Sequence, residues 1–381
     1  MSEPTKPTDK QNVSKLRIGV IFGGPSSEKE VSLATGRYVL NLLDPARFQQ
    51  VALYMDYSGN IWQLPPKFVL SNTTVDVENR LQESAKRVKY EDLKGMVDFV
   101  FIALLGKVGE DGTIQGLFEL LKIPYSGSGM LASAVAMNKR VSKDLLSANG
   151  VVVAKDIRVT SVDYPEKLSL EQLSAKLETE LKYPAVVKPV AEGSSVGVAA
   201  VHNKEDLKLA LDEAFKWDRE VLIEEFVDGQ EFMCVVFGTD EPVAMLPSEV
   251  EFVGEIFTYE SKYMPGKAEY HTPIRAPHDK IKEIQDIAIK VYNLLGIKGY
   301  GRVDGFLKDK QTICISEPHT GTIMVPSSYV FQQASLQDQP VKGKGKAGFK
   351  GKGGGRFNPR MFISAIVDMG METHAKKKGV L

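Results

Sequence analysis

The sequence predicts an α/β protein: a doubly wound parallel-sheet unit at the N-terminus, then two strand-rich subdomains. Three observations carry this reading. LRIGVIF (16–22) and VDFVFIALLG (97–106) are continuous apolar runs of the kind buried on both faces of a parallel sheet, and each enters a glycine-bearing turn and then a helical pattern. Amphipathic helices and strand-like runs alternate after them. Two further runs, GYGRVDGFL and TICISEP, flank the turn KDKQ and read as a β-hairpin.

A chain of 381 residues has room for roughly two to three domains. Its 43% hydrophobic and 25% charged residues are those of globular material, and a formal charge of −1 gives no pull toward nucleic acid or anionic membranes. Cys234 and Cys314 sit in strand-like runs and read as small buried hydrophobes in a reducing compartment, not as a disulfide or metal pair. The N-terminal MSEPTKPTDKQNVSK has no apolar stretch of the signal-peptide kind. MVDFVFIALLG is too short to span a bilayer and is interrupted by Asp98. A cytoplasmic protein with neither nucleic-acid nor membrane partners is expected.

In chain order, residues 1–15 read as a disordered tail. After the first strand, Gly23, Gly24 and Pro25 make a turn and Ser26 or Ser27 can cap a helix marked by Val31, Ala34, Tyr38 and Leu42; Glu30 lies one turn into it. Such a turn can hold an anion or serve only as architecture. VALYMDY (51–57) is a second strand, and 58–95 is poorly patterned. Beyond the third strand, Gly106, Gly109 and Gly112 keep a loop open before a helix over Thr113–Leu121, at the sheet edge where α/β proteins place ligands. This first domain covers 16–138.

The central subdomain is read over 139–222. Lys139 and Lys143 share one face of a helix ending at Gly150, and a solvated face is the plainer explanation. YPAVVKPVAEGSSVGVAAV reads as two strands about a loop of Glu192, Gly193, Ser194, Ser195 and Gly197, small enough for backbone N–H groups to approach a phosphate. Lys188, inside an apolar strand, requires a partner there, and a phosphate would serve. REVLIEEFVDGQEFMCVVFG reads as a hairpin with Glu224, Glu225 and Glu231 near its bend.

The C-terminal subdomain is read over 223–381. Its segment 246–275 is long and polar, the pattern of a lid, with Lys262 and Tyr263 able to reach a site. DKIKEIQDIAIKVYNLLG is an amphipathic helix capped by Asp279 and stopped by Gly296. In the hairpin that follows, Arg302 and Asp304 share a strand face and Glu317 arrives from the neighbouring strand. A divalent cation held by Asp304 and Glu317 would satisfy this cluster; so would an ion cluster with no ligand. Residues 340–357 are a basic Gly/Lys-rich linker, and FISAIVDMGMETHA reads as a closing helix.

Seven motifs, FGGPSSEKEVSL, GEDGTIQG, PYSGSG, VVKPVAEGSSVG, VLIEEFVDGQEF, YESKY and GRVDGF…SEP, follow in order and spacing the D-alanine–D-alanine ligases, which the chain resembles over about 16–335. The resemblance implies an ATP-grasp fold of three α/β domains and the ADP-forming ligation of two D-alanines through an acylphosphate, for peptidoglycan precursors. It implies that Lys139 and Lys188 contact the ATP phosphates, that Ser194, Ser195 and Lys262 belong to the elements covering them, and that Glu224 and Glu231 hold the adenosine. Two Mg²⁺ (or Mn²⁺) ions are implied on Asp304, Glu317 and His319, with Arg302 stabilising the tetrahedral intermediate. Glu30 is implied to anchor the first substrate's ammonium and to join Ser194 and Tyr263 in closing the lid. Ser328 is implied to contact the second substrate's carboxylate, and a homodimer is implied. A tyrosine at 263 is the family's usual choice for dipeptides.

Several positions depart from the family pattern. Leu105 stands where a histidine is usual, and His319 where an asparagine is. Gly321, Thr322 and Ile323 replace Ser-Pro-Gly, and Tyr329 replaces a common leucine. A ligase with a different second substrate, or a catalytically weak nucleotide-binding paralogue, are the alternatives. Imidazole at 319 favours softer ions such as Mn²⁺.

Overall fold

The computed structural model describes residues 15–66, 71–258, 261–262, 266–336 and 358–378. The tail up to residue 14, Tyr263 and the basic linker at 340–357 lie outside the described residues.

The first sheet has the order β4-β3-β2-β1-β5. β1 (Leu16–Gly23) lies parallel between β2 (Phe48–Met55) and β5 (Phe99–Ile102), whereas β3 (Ile61–Gln63) and β4 (Lys86–Val88) extend it antiparallel. Both apolar runs are buried because both faces of the sheet are covered there: β1 is central, β5 ends the sheet order, and Ile18 and Val20 to Phe22 are fully enclosed. The charge at Asp98 precedes β5, where it takes a forked bond from Arg17. Helix α1 (Lys29–Leu42) packs closely enough that a Cβ on Gly36 would lie within 2.6 Å of the Phe22 ring. Short helices α2 (Thr74–Glu78), α3 (Leu81–Ser84) and α4 (Leu93–Met96) fill the weakly patterned stretch, and α5 (Thr113–Leu121) follows the glycine loop as expected.

Helix α6 (Met130–Met137) and α7 (Lys139–Ala148) replace the single helix expected there; Asn138 leaves helical geometry and its side chain caps α7 by accepting from the Val141 N–H. The second sheet has the order β6-β9-β7-β8, formed by β6 (Asp156–Thr160), β7 (Ala185–Pro189), β8 (Ala199–Val201) and β9 (Glu220–Glu225). It shares a core with α8 (Leu170–Glu180) and α9 (Lys204–Ala214) through Leu173, Leu177, Leu207 and Leu211.

The third sheet runs β13-β12-β10-β14-β15, with β11 (Val243–Ala244) paired to β10. Its strands are β10 (Gly229–Gly238), β12 (Ser248–Phe252), β13 (Ala268–His271), β14 (Gly299–Lys308) and β15 (Thr312–His319). The expected hairpin at 219–238 is thereby corrected. β9 pairs with β6 and β7 and β10 with β12 and β14, so the chain passes between sheets at 226–228. Of the segment expected as a lid, 248–252 and 268–271 are paired strands.

Alternation along β10 divides two cores. Phe232, Cys234 and Val236 meet α10 (His278–Leu294), and Met233, Val235 and Phe237 face the opposite layer. Pro277, not Asp279, precedes α10; Asp279 lies in its first turn. The opposite layer holds α11 (Tyr329–Ser335) and the closing helix α12 (Pro359–Lys378). Phe362 of α12 stacks 4.8 Å from Phe237, while Gly370 approaches the Phe99 ring and the Tyr125 carbonyl. The last helix thus ties the third sheet to the first. No described helix is long and apolar enough to cross a membrane.

Candidate functional site

A cavity opens where the three sheets meet. The C-terminal ends of β1 and β5 contribute Glu28, Leu105 and Glu110, the second sheet Lys188 and Glu224, and the third Glu231, Arg302, Asp304, Glu317 and His319. Lys139, at the first turn of α7, also lines it.

The polar end is built on β14 and β15. Arg302 and Asp304 share a face, and Asp304 pairs directly with Glu317, as strand alternation demands. A bulge between Asp304 and Gly305 leaves Ser316 without an opposite residue, which shifts the ladder just beside these acids. Arg302 forks onto Asp304 at 2.6 Å through both Nε and Nη2. His319 Nε2 lies 3.3 Å from Asp304 and 3.9 Å from Glu317. Lys139 Nζ is 2.8 Å from Glu317. Burial pushes the Glu317 carboxyl up, but Lys139, His319 and Lys188 together hold it well below the usual carboxylate range. The same contest, with Arg302 and His319 prevailing over burial, keeps Asp304 low.

Two lysines share one acid at the second sheet. Lys188 Nζ and Lys143 Nζ each lie 2.6 Å from a different oxygen of Glu224, and Lys143 also reaches Asp156 at 3.0 Å. Burial works against the Lys188 ammonium, yet Glu224 and Glu317 more than reverse this and raise it. Lys143 is therefore part of the buried network, not a solvated face. Helical spacing puts it beside Lys139 but does not say which side of α7 is covered. Among the described residues Glu231 has no such close partner, and its enclosure pushes the carboxyl up to about 7, with Lys262 acting in the opposite direction.

The loop between β7 and β8 covers the cavity. Ser194 and Ser195 hold φ of 50° and 59°, the left-handed region that non-glycine residues seldom adopt and that clusters at ligand-binding loops. Ser195 Oγ donates to the Phe257 carbonyl at 2.6 Å and accepts from Lys262 Nζ at 2.9 Å, so loop and lid segment are joined. Ser194 Oγ donates to the Glu28 carboxylate.

That last contact corrects the expectation for Glu30. The residue bonded to Ser194 is Glu28, which immediately precedes α1 and faces the cavity. Glu30 turns away and accepts from the Thr74 N–H at 3.0 Å and the Thr74 hydroxyl at 2.5 Å. Two acids two residues apart at a helix start cannot point the same way. The available signal was that Glu28 sits closer to the glycine turn. Glu110, unassigned in the sequence reading, accepts from Gly106 N at 2.7 Å and Gly321 N at 3.0 Å, and burial together with Glu28 pushes its carboxyl up.

Ser328, expected beside the second substrate's carboxylate, is not among the residues that line the cavity. It is buried at the start of α11, its hydroxyl accepts from Val325 N at 2.9 Å, and the neighbouring Tyr329 lines the cavity in its place. Leu105, Thr322 and Ile323 line it too, on the first-domain side.

The donor set suits a divalent cation: two carboxylates in cross-strand register supply hard oxygens, each acid already drawing a protein cation, and the imidazole beside them adds a softer nitrogen. Among the described residues, the only three such groups whose donor atoms all lie within 4.8 Å are Glu251, Glu269 and His271, on a sheet edge where Arg275 already pairs with Glu251.

Two family models match the chain: "D-ala D-ala ligase N-terminus" over residues 17–128 and "D-ala D-ala ligase C-terminus" over 145–336. The chain is 37% identical to the D-alanine–D-alanine ligase of Geobacillus thermodenitrificans, covering 82% of this chain and 89% of the relative. It is 38% identical to that of Desulforamulus reducens, covering 78% and 86%. Among solved structures, the VanG D-Ala:D-Ser ligase of Enterococcus faecalis aligns at a TM-score of 0.77 with 29% identity, covering 94% of this chain and all of that one. The Bacillus anthracis D-alanine–D-alanine ligase complexed with ATP aligns at 0.67 with 28% identity, covering 96% and 99%.

Proposed function

The chain belongs to the D-alanine–D-alanine ligase family, and on that premise we propose how its residues divide the work. It is an ATP-dependent, ADP-forming ligase that joins two D-alanines for peptidoglycan precursor synthesis. One observation carries the assignment of roles: a single cavity gathers Lys139, Lys188, Arg302, Asp304 and Glu317 beneath the Ser194–Ser195 loop, with Glu28 at its first-domain end.

Lys139 and Lys188 neutralise the nucleotide phosphates, and Glu224 with Glu231 receives the adenosine. Glu28 takes the ammonium of the first D-alanine, and its bond to Ser194 couples that substrate to closure of the loop. A carboxylate oxygen of this D-alanine attacks the γ-phosphorus, ADP leaves, and an acylphosphate forms. The amine of the second D-alanine attacks the acyl carbon, Arg302 faces the oxyanion that develops, and phosphate departs. Asp304, Glu317 and His319 would hold the divalent cations, whose charge offsets that of the transferring phosphoryl group. Tyr263 is assigned to the lid, and cytoplasmic location and a homodimer are part of the same reading.

Leu105, Thr322, Ile323 and Tyr329 lining the cavity favour one second reading, a ligase accepting another second substrate. ADP release with ATP and Mg²⁺ separates the two when D-alanine alone is compared with D-alanine plus D-serine or D-lactate. D-alanine-dependent turnover with the dipeptide seen by mass spectrometry is expected. Turnover that requires a different second substrate overturns the dipeptide reading.

A further inference from the structure

The guanidinium of Arg302 has two anchors. Asp304 holds its Nε and Nη2 edge, and on the other side Nη1 donates to the Tyr329 hydroxyl at 2.5 Å. That hydroxyl lies 3.0 Å from Thr322 Oγ1, so it can accept from Arg302 and donate to Thr322 without competition. Tyr329 is buried, with its ring 5.8 Å from that of Tyr270, so the hydroxyl cannot swing away. Among the described residues, three of the five guanidinium hydrogens are committed, leaving one on each terminal nitrogen for an oxyanion.

The two anchors are not equivalent. In the proposed function, a reading on which this inference rests, Asp304 also serves a divalent cation. Its oxygens are then divided between metal and arginine. Among the described residues, the Tyr329 hydroxyl meets only Arg302 and Thr322, and neither Tyr329 nor Thr322 carries a carboxylate.

We propose that Tyr329 is a positioning residue for Arg302: its hydroxyl, oriented by Thr322, holds the guanidinium in place when Asp304 is drawn toward the cation. An arginine left to pivot presents its free hydrogens to no fixed point, and misplacement of a pre-aimed donor is costly to the rate.

The test compares wild type, Tyr329→Phe, Thr322→Val, Arg302→Lys and the double variant Tyr329→Phe/Arg302→Lys. Tyr329→Phe keeps the ring and its packing. Its kcat is expected to fall about tenfold or more, with KM for ATP and D-alanine within about twofold, since a charge-assisted bond is lost while the ring that lines the cavity is kept. Thr322→Val gives a smaller fall of the same kind. In the Arg302→Lys background, removing the hydroxyl adds nothing. Independently of turnover, the Arg302 Nη signals of ¹⁵N-labelled protein with Mg²⁺ and a non-hydrolysable ATP analogue bound, resolved in wild type, average together in Tyr329→Phe. A kcat within twofold of wild type, a change confined to the D-alanine KM, or an undiminished effect in the Arg302→Lys background overturns the inference while the ligase reading stands. A wild type with no D-alanine-dependent turnover overturns the ligase reading and the inference with it.

Discussion

Exchanging the two acids at the head of α1 one at a time separates the site from the scaffold. Glu28→Gln keeps the shape of the side chain and an oxygen that can still accept from Ser194, so loop closure survives; only the charge offered to a substrate ammonium is lost. A hydrogen bond to a charged group contributes about 1.5–3 kcal/mol net. At about 1.4 kcal/mol per tenfold, kcat/KM for the first D-alanine falls about 10- to 150-fold. Glu30→Gln weakens a bond that ties α1 to Thr74 outside the cavity, so the expectation is a stability loss of about 1 kcal/mol and activity within twofold of wild type. The assay is initial ADP release over a D-alanine range wide enough to resolve two Michaelis constants, with thermal unfolding alongside. A tenfold rise in the first constant for Glu30→Gln, with Glu28→Gln unchanged, would refute the assignment.

Three further outcomes follow from the same geometry. Glu231 ionises near pH 7 when folded and in the ordinary carboxylate range when unfolded, so the native state keeps a proton that the unfolded state has lost between those limits. The stability it lends is present at low pH and lost as pH rises through about 7. The Tm advantage of Glu231→Gln over wild type should therefore be small at pH 5, grow to pH 7 and level off above; a constant offset from pH 5 to 8 contradicts this. His319→Asn should shift metal preference away from Mn²⁺ and toward Mg²⁺, because imidazole binds softer ions better; equal Mn²⁺/Mg²⁺ turnover ratios in the two proteins would sink the idea. Phe362→Ala removes a buried ring packed on Phe237 and Phe331, and should cost about 3–5 kcal/mol in urea unfolding. A loss below 1 kcal/mol would mean that α12 does not clamp the two sheets.

What could be read from the sequence was whatever a single element's period decides. Arg302 and Asp304 share a face because strand side chains repeat every two residues, and no tertiary contact can undo that. LRIGVIF and VDFVFIALLG are strands buried on both faces because an uninterrupted apolar run has no face left for water. The failures occur where local chemistry permits two answers. VDGQ between two strand-like runs is good hairpin sequence, yet β9 continues the sheet of β6 and β7 and β10 that of β12 and β14, a choice made by residues far away in the chain. Lys139 and Lys143 share a helix face in any structure, but Glu317, Glu224 and Asp156, which make that face an interior one, come from three other strands.

The same distinction explains why the charged site is stable without looking so in one dimension. Each charge, taken alone, sits in an apolar strand or an amphipathic helix and would be costly to bury. The strands converge so that two of the acids meet cations from other elements: Glu317 meets Lys139 of α7, and Glu224 of β9 meets Lys188 of β7 and Lys143 of α7. Arg302 is the exception, since its acid lies on its own strand and is wanted elsewhere. The partner it gains from another element is a neutral phenol, Tyr329 of α11. A carboxylate there would hold the arginine more strongly but would cancel the positive charge that a developing oxyanion requires. A phenol fixes the guanidinium and leaves its charge available.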